Sequence, residues 1–247
     1  MGGKSLLAFL MLTPALLPCG AKAWELSLST GLQRELFRGW VKYKGTKVDL
    51  KDDLRLNDKS GVILRAVLKH KIPLLPELKI DYLRAKTSGV GKLNRNITFG
   101  GVTFTANDRI KTDFKADQFD LTFFYAPVNS QNLTLEWGLG VKYLTGYTKI
   151  KSINRGAYSN TNYDVPVPYF FLRSDFRLSL LHTGFEGKGI TYSGNYFYDW
   201  KLFAGLMKNM FFLDIGYRYE RLKISDIEDF SGDLKVKGVF GQIGVKF

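Results

Sequence analysis

Apolar and polar residues alternate one for one in segment after segment of this chain. That period-2 pattern restricts it to extended strands with one apolar face. In LTLEWGLGVKYL, Leu133, Leu135, Trp137, Leu139, Val141 and Tyr143 point one way, and Thr134, Glu136, Gly138, Gly140 and Lys142 the other. NYFYDWKLFAGL sets Tyr196, Tyr198, Trp200, Leu202, Ala204 and Leu206 against Asp199 and Lys201. FFLDIGYRYE sets Phe211, Leu213, Ile215, Tyr217 and Tyr219 against Asp214, Arg218 and Glu220. The last segment, GVFGQIGVKF, places Val239, Gly241, Ile243, Val245 and Phe247 on one face.

Further strands are expected over Trp24 to about Gln33 and on toward Tyr43, Val62–His70, Leu78–Lys86, Ile110–Tyr125, Val165–Arg173, Phe176–Glu186 and Leu234–Phe247. The total is about ten, an even number as in bacterial outer-membrane barrels. The phase slips at Asp117-Gln118 and Leu180-Leu181, which predicts bulges there. Short connectors (71–77, 126–131, 173–175, 207–209) take turns with longer polar ones (34–61, 87–109, 148–163, 187–195, 224–233). Such parity is expected of a membrane barrel with tight periplasmic turns and long external loops, and it sets both termini on the periplasmic side. The expected fold is therefore an all-β, antiparallel, up-and-down transmembrane barrel of about ten strands, occupying 24–247 as one domain. Aromatics make up 15% of the chain, and recurring Trp, Tyr and Phe near strand ends suit the two interfacial girdles of such a barrel.

Residues 1–23 are expected to be an export signal: Lys4, an apolar run from Leu6 to Leu17, and the small-x-small pattern Ala21-Lys22-Ala23. A dozen apolar residues are too few for a membrane helix, which needs roughly 20. Cleavage before Trp24 removes the single cysteine, Cys19, and with it any disulfide or thiolate metal site. Pro18 before Cys19 argues against lipid attachment. Loss of Lys4 and Lys22 lowers the net charge from +13 to +11. For an exported chain that basic balance favours lipid phosphates over nucleic acid, with a generally Lys-rich surface as the plainer explanation.

In such a barrel the polar faces enclose the lumen. They supply Arg65, Lys79, Asp81, Glu136, Lys142, Glu186, Asp199, Lys201, Asp214, Arg218 and Glu220. Mixed charges in a narrow lumen most simply form a salt-bridged plug, and a narrow gated path is the alternative. In DLKDDLRLND, Asp49 can cap a short helix that presents Leu50 and Leu54 on one face over the lumen. The acids of that stretch lack the ordered spacing of a calcium loop, and no metal or cofactor is expected. His70 and His182 lie at no recognisable catalytic spacing, so an outer-membrane hydrolase ranks third. Gly100-Gly101 belongs to no phosphate loop and is expected to meet a backbone demand at a hairpin tip or a close contact. Lys149, Lys151 and Arg155 could meet lipopolysaccharide phosphates, although solvated loop charges are commoner.

Two resemblances sharpen these expectations. The terminal Ile243, Val245 and Phe247 resemble the C-terminal signal through which the barrel assembly machinery recognises its substrates. VDLKDDLRL (48–56), HKIPLLPELKIDY (70–82), TSGVGKLNRNITFGGVTFTA (87–106), GKGITYSGNYFYDW (187–200), DIGYRYERLKI (214–224) and the final GVKF together resemble a family of bacterial outer-membrane barrels named for an internal Gly-Gly motif. Phe99, Gly100 and Gly101 carry its most specific element. That resemblance implies fold and location rather than a biochemical role. The expected function is a structural or surface-interaction barrel with a filled polar lumen, and the alternative is a narrow uptake channel.

Overall fold

The computed structural model describes residues 24–227 and 229–247, so the expected export signal and Cys19 lie outside the described residues. Thirteen strands follow in order: β1 (Trp24–Tyr43), β2 (Val48–Asp49), β3 (Lys59–His70), β4 (Glu77–Lys92), β5 (Ile97–Phe99), β6 (Val102–Phe104), β7 (Arg109–Asn129), β8 (Leu133–Ser152), β9 (Tyr158–Leu178), β10 (Leu181–Tyr192), β11 (Asn195–Lys208), β12 (Phe211–Ile227) and β13 (Phe230–Lys246). Ten of them form one antiparallel sheet in which each long strand pairs with its neighbour in the chain, β4 passing directly to β7. The sheet closes on itself where β13 pairs with β1, from Ser27 opposite Lys246 to Tyr43 opposite Phe230. Closure leaves no edge strand, the condition for placing a sheet in lipid. β2 is a two-residue addition to β1, and β5–β6 is a separate hairpin.

The barrel is built inside out. Large apolar side chains face outward, with Leu32, Phe170 and Ile215 61%, 65% and 66% exposed, while lysines, arginines and carboxylates are buried in the lumen. A soluble barrel has the reverse arrangement, so the outer surface is one that lipid covers. β1, β7, β8 and β9 run for 20 or 21 residues. About 9–11 suffice to cross a bilayer, so these strands continue well beyond it at the end away from the termini. There the outward face changes character: Leu28 and Leu32 on β1 are followed by Arg34, Arg38 and Lys42, and Phe123 and Phe119 on β7 give way to Asp117, Lys115 and Asp113.

That change accounts for several departures from expectation. No bulge occurs at Asp117-Gln118, where pairing with Arg84 and Leu83 is continuous. The alternation is intact, but its outward member is charged once the strand leaves the apolar belt. At Leu180-Leu181 the phase break marks the hairpin between β9 and β10 rather than a bulge, with Ser179 at positive φ. The ladder shifts instead between Tyr125 and Val128 and between Ile224 and Ile227. The expected turn at 173–175 is strand, paired with Phe185 and Glu186. The expected long loops at 187–195 and 224–233 are mostly strand too, the first turning at Ser193-Gly194 and the second between Ile227 and Phe230. Among the described residues the long connectors are at 44–58 and 93–108, both in the first half of the barrel.

Placing a cation in the apolar belt with Leu139→Arg is expected to cost about 2–4 kcal/mol. Lys151→Ala, beyond the belt, should stay within about 0.5 kcal/mol. Reversible urea unfolding in vesicles measures both.

Candidate functional site

The expected charges line the lumen, and all but Glu136 and Asp214 meet in one network. Arg65 donates to Asp81 (2.6 Å) and Glu186 (3.0 Å). Lys79 lies 2.6 Å from the other Glu186 oxygen, and Lys201 3.5 Å from the first. Arg218 grips Asp199 with two hydrogen bonds of 2.8 and 2.7 Å and also donates to Glu220. Lys142 donates to Gln118 (2.9 Å) and stands 2.9 Å from Asp120. Lys188 joins the two halves by reaching both Asp81 (3.0 Å) and Asp120. Lys79 and Lys142 are only 1% and 0% exposed, so each needs such partners to offset its desolvation. A layer of inward aromatics backs the cations: Lys79 lies 4.6 Å from the Phe171 ring centre, Lys188 5.3 Å from Tyr169 and Lys142 5.5 Å from Phe197.

Toward the terminus end a second cluster lines a cavity of about 80 Å³. His182 there lies between two carboxylates, with Nδ1 3.4 Å from Asp175 and Nε2 2.8 Å from Asp214. Gln242 donates to Asp214 at 2.7 Å, Lys69 pairs with Glu136, and Arg173 links Asp175 (3.2 Å) to Glu186 (3.6 Å). His70 is elsewhere, at the end of β3 against the 71–76 turn, where Nδ1 accepts from the Ile72 N–H and Nε2 contacts the Pro76 carbonyl. The two histidines do not share a site.

The opposite end is capped from inside by apolar residues. The 44–58 and 93–108 connectors pack Val48, Leu50, Leu54, Leu56, Leu93, Ile97, Phe99 and Phe104 against Phe37, Ile110 and Ile150 of the wall. The expected short helix at 49–56 is not formed. Residues 50–54 make turns, with Asp49 accepting from the N–H groups of Lys51 and Asp52 at 2.7 and 2.8 Å. Three leucines must be buried within seven residues, and these turns bring all of them inward. The acids of this stretch already have partners, Asp53 with Arg95 and Asp58 with Lys51 and Arg38. Partial burial pushes the Asp58 carboxyl up, but hydrogen bonds and charge from Lys51 and then Arg38 hold it below the usual carboxylate range.

Gly100 and Gly101 form the two-residue tip of the β5–β6 hairpin, with φ of 58° and 77°. Both central residues of such a tip need positive φ. Their N–H groups donate to Tyr43 (3.0 Å) and Lys44 (3.2 Å), which fastens the hairpin to β1. A Cβ on Gly100 would come within 2.6 Å of Ser159 Oγ, whereas one on Gly101 would meet open space. Both expected roles of the glycine pair, hairpin tip and close contact, therefore occur together.

Lys188, Asp120, Gln118, Asp175 and the pairing of His182 are absent from the residues singled out by sequence. Lys188 falls in a stretch expected to be loop, and Asp120 follows the apparent phase slip at 117–118. The signal that would have found them is the unbroken alternation through Lys188-Ile190 and Asp117–Phe123.

The sequence matches no family model and no curated protein. Among solved structures the fold is similar to the outer membrane protease OmpT of Escherichia coli, at 14% identity and a TM-score of 0.53, covering 90% of this chain and 97% of that one. Weaker likenesses are to the attachment invasion locus protein Ail of Yersinia pestis (16% identity, TM-score 0.38, covering 91% and 99%) and Neisserial surface protein A (14%, 0.33, covering 92% and 99%). The likeness to OmpT establishes the architecture of a bacterial outer-membrane barrel and nothing of its chemistry.

Removing one partner from a buried ionic group is the costly change, so Arg218→Met is expected to destabilise the barrel by about 3–5 kcal/mol. Glu35 is 1% exposed and neither of its oxygens has a hydrogen-bond partner among the described residues, so Glu35→Gln should leave stability unchanged or raise it. Urea titrations of both variants test this contrast. In the cap, Gly101→Ala should cost about 1–2 kcal/mol for its left-handed backbone, and Gly100→Ala more because of the added clash. Limited proteolysis of the 93–108 connector would rank the two.

Proposed function

We propose that this chain is an integral protein of the bacterial outer membrane that acts as a closed structural or surface-interaction barrel, with its capped end outside and both termini periplasmic. The carrying observation is double closure: a buried ion-pair network crosses the lumen, and an apolar cap fills the end beyond it. A water path would need separated charges with room for ions, whereas these carboxylates and cations are already paired. The resemblance to the Gly-Gly barrel family is part of this reading, supported by the structural use made of Gly100 and Gly101. Outward exposure of Ile243 and Phe247 supports an assembly signal read from the lipid side, with Val245 on the same face. The partners implied are outer-membrane lipids, lipopolysaccharide and the assembly machinery, and not nucleic acid.

Hydrolysis, the activity in OmpT's name, finds less support here. Both nitrogens of His182 face carboxylates, which suits a bridge between β9, β10 and β12 better than a base acting on water.

Refolded protein in a planar bilayer is expected to be electrically silent. Deleting residues 45–57 and 94–107 together with Arg218→Ala and Lys188→Ala should produce openings. Discrete openings from the unmodified chain that change selectivity on charge reversal at Asp199 or Lys201 would overturn the closed-barrel reading in favour of a channel.

A further inference from the structure

Beyond the apolar belt, the outer wall carries a row of like charges that the fold does not require. Strand register places Arg221 of β12 directly opposite Lys235 of β13, and Lys235 directly opposite Arg38 of β1. Directly opposed side chains on adjacent strands have Cβ atoms about 4.5–5.5 Å apart, and like charges in that position destabilise a sheet. Lys237, Lys223 and Arg34 flank the row on the same outward face. Two carboxylates answer these six cations: Asp233 takes the Arg221 fork at 2.8 and 2.7 Å, and Asp58 lies 3.3 Å from Arg38. Neither Lys235 nor Lys237 has a carboxylate within ion-pair distance among the described residues.

The other side of the barrel also opposes like charges, Lys86 to Lys115 and Lys111 to Lys151, but carboxylates lie among them. Lys115 and Arg84 share Asp117 at 2.6 and 3.2 Å, and Lys111 lies 3.9 Å from Asp113. Asp113 and Asp117 offset part of the charge on that side, and what sets the row on β12, β13 and β1 apart is the set of stacked rings beside it.

The surroundings indicate what would neutralise the row. Stacked rings lie beside it: Trp200 and Tyr219 at 5.7 Å, Tyr198 and Tyr219 at 6.1 Å, and Tyr196 with Arg221 over its face at 5.0 Å. Nearer the terminus end the same strands expose Tyr217, Val239 and Leu32 to lipid. An occupant must therefore be anionic at the height of the cations and apolar directly below, and it must remain in the membrane. We propose that this face is a binding site for the phosphorylated headgroup of lipopolysaccharide in the outer leaflet, with Lys235 and Lys237 as its open phosphate ligands and Arg221 and Arg38 as positioned neighbours. The site rests on the orientation given above, with the capped end outward.

The test uses the full mature chain, folded in detergent and titrated with bisphosphorylated lipid A or its dephosphorylated counterpart, with binding followed by native mass spectrometry. The phosphorylated lipid is expected to bind about tenfold tighter or better, and Lys235→Glu with Lys237→Glu should abolish that margin. Lys149→Glu with Lys151→Glu changes the net charge equally on the opposite wall and should retain it. Lys235→Gln with Lys237→Gln, less demanding on folding, should lose part of it, with heat-modifiable gel migration confirming folded barrels throughout. Equal affinity for both lipids, equal loss in both pairs of Glu variants, or full displacement by inorganic phosphate would overturn the site. Orientation is read separately, by labelling Gly194→Cys at the β10–β11 tip in intact cells. Labelling only after permeabilisation would refute the orientation, and with it the outer-leaflet assignment, while leaving the binding data as the measure of the basic face itself.

Discussion

Pairing of β13 with β1 is the constraint on which the rest of the structure depends. In lipid an unpaired backbone N–H or C=O costs several kcal/mol, so a sheet can remain there only if its first and last strands meet. The register from Ser27–Lys246 to Tyr43–Phe230 achieves this along most of both strands. Once the sheet is closed, each residue has only two destinations, lipid or lumen, and the period-2 alternation sorts them. The hydrophobic effect that would fill a soluble core instead drives Leu, Phe and Ile outward and leaves the charged residues to one another.

That sorting explains why the lumen is a network rather than a set of isolated salt bridges. Lysines and arginines from β3, β4, β8, β10, β11 and β12 converge on few carboxylates, and Asp81, Asp120 and Glu186 each serve at least two cations. Shared partners make the charges interdependent, so the barrel wall is tied across its diameter as well as around its circumference. The cap solves the remaining problem by different means. Beyond the bilayer the wall no longer has lipid on its outer side, and a conventional apolar core of Leu, Ile and Phe side chains from two connectors fills the inside.

Much of this was legible in the sequence, though unevenly. The alternation around Trp137, Trp200 and Ile215 identified strands and faces because within the belt the two faces differ sharply in polarity. Every lumen charge singled out on that basis is inside. Where the outward positions are polar or glycine the same rule failed: Asp117-Gln118 looked like a slip in phase, and Lys188, between Gly187 and Gly189, like part of a loop. The two-residue turn at Ser193-Gly194 was missed for a related reason, since polar strand on either side of a tight turn is indistinguishable from a longer loop. The turn at Ser179-Leu180, by contrast, lay inside an expected strand because Leu178, Leu180 and Leu181 leave no polar break.

By itself the sequence determined that the chain is a barrel of about ten strands, which side chains face outward within the apolar belt, and that Gly100-Gly101 answers a backbone demand. These follow from local periodicity and from the conformational freedom of glycine, both properties of neighbouring residues. Only the tertiary structure decided which lumen charges pair, that His182 bridges Asp175 and Asp214, that two connectors fold inward as a cap, and that Arg221, Lys235 and Arg38 form one row. Each of these depends on strand register and barrel closure, which bring together residues as far apart as Arg38 and Lys235, and no local pattern encodes which of the remote positions will meet.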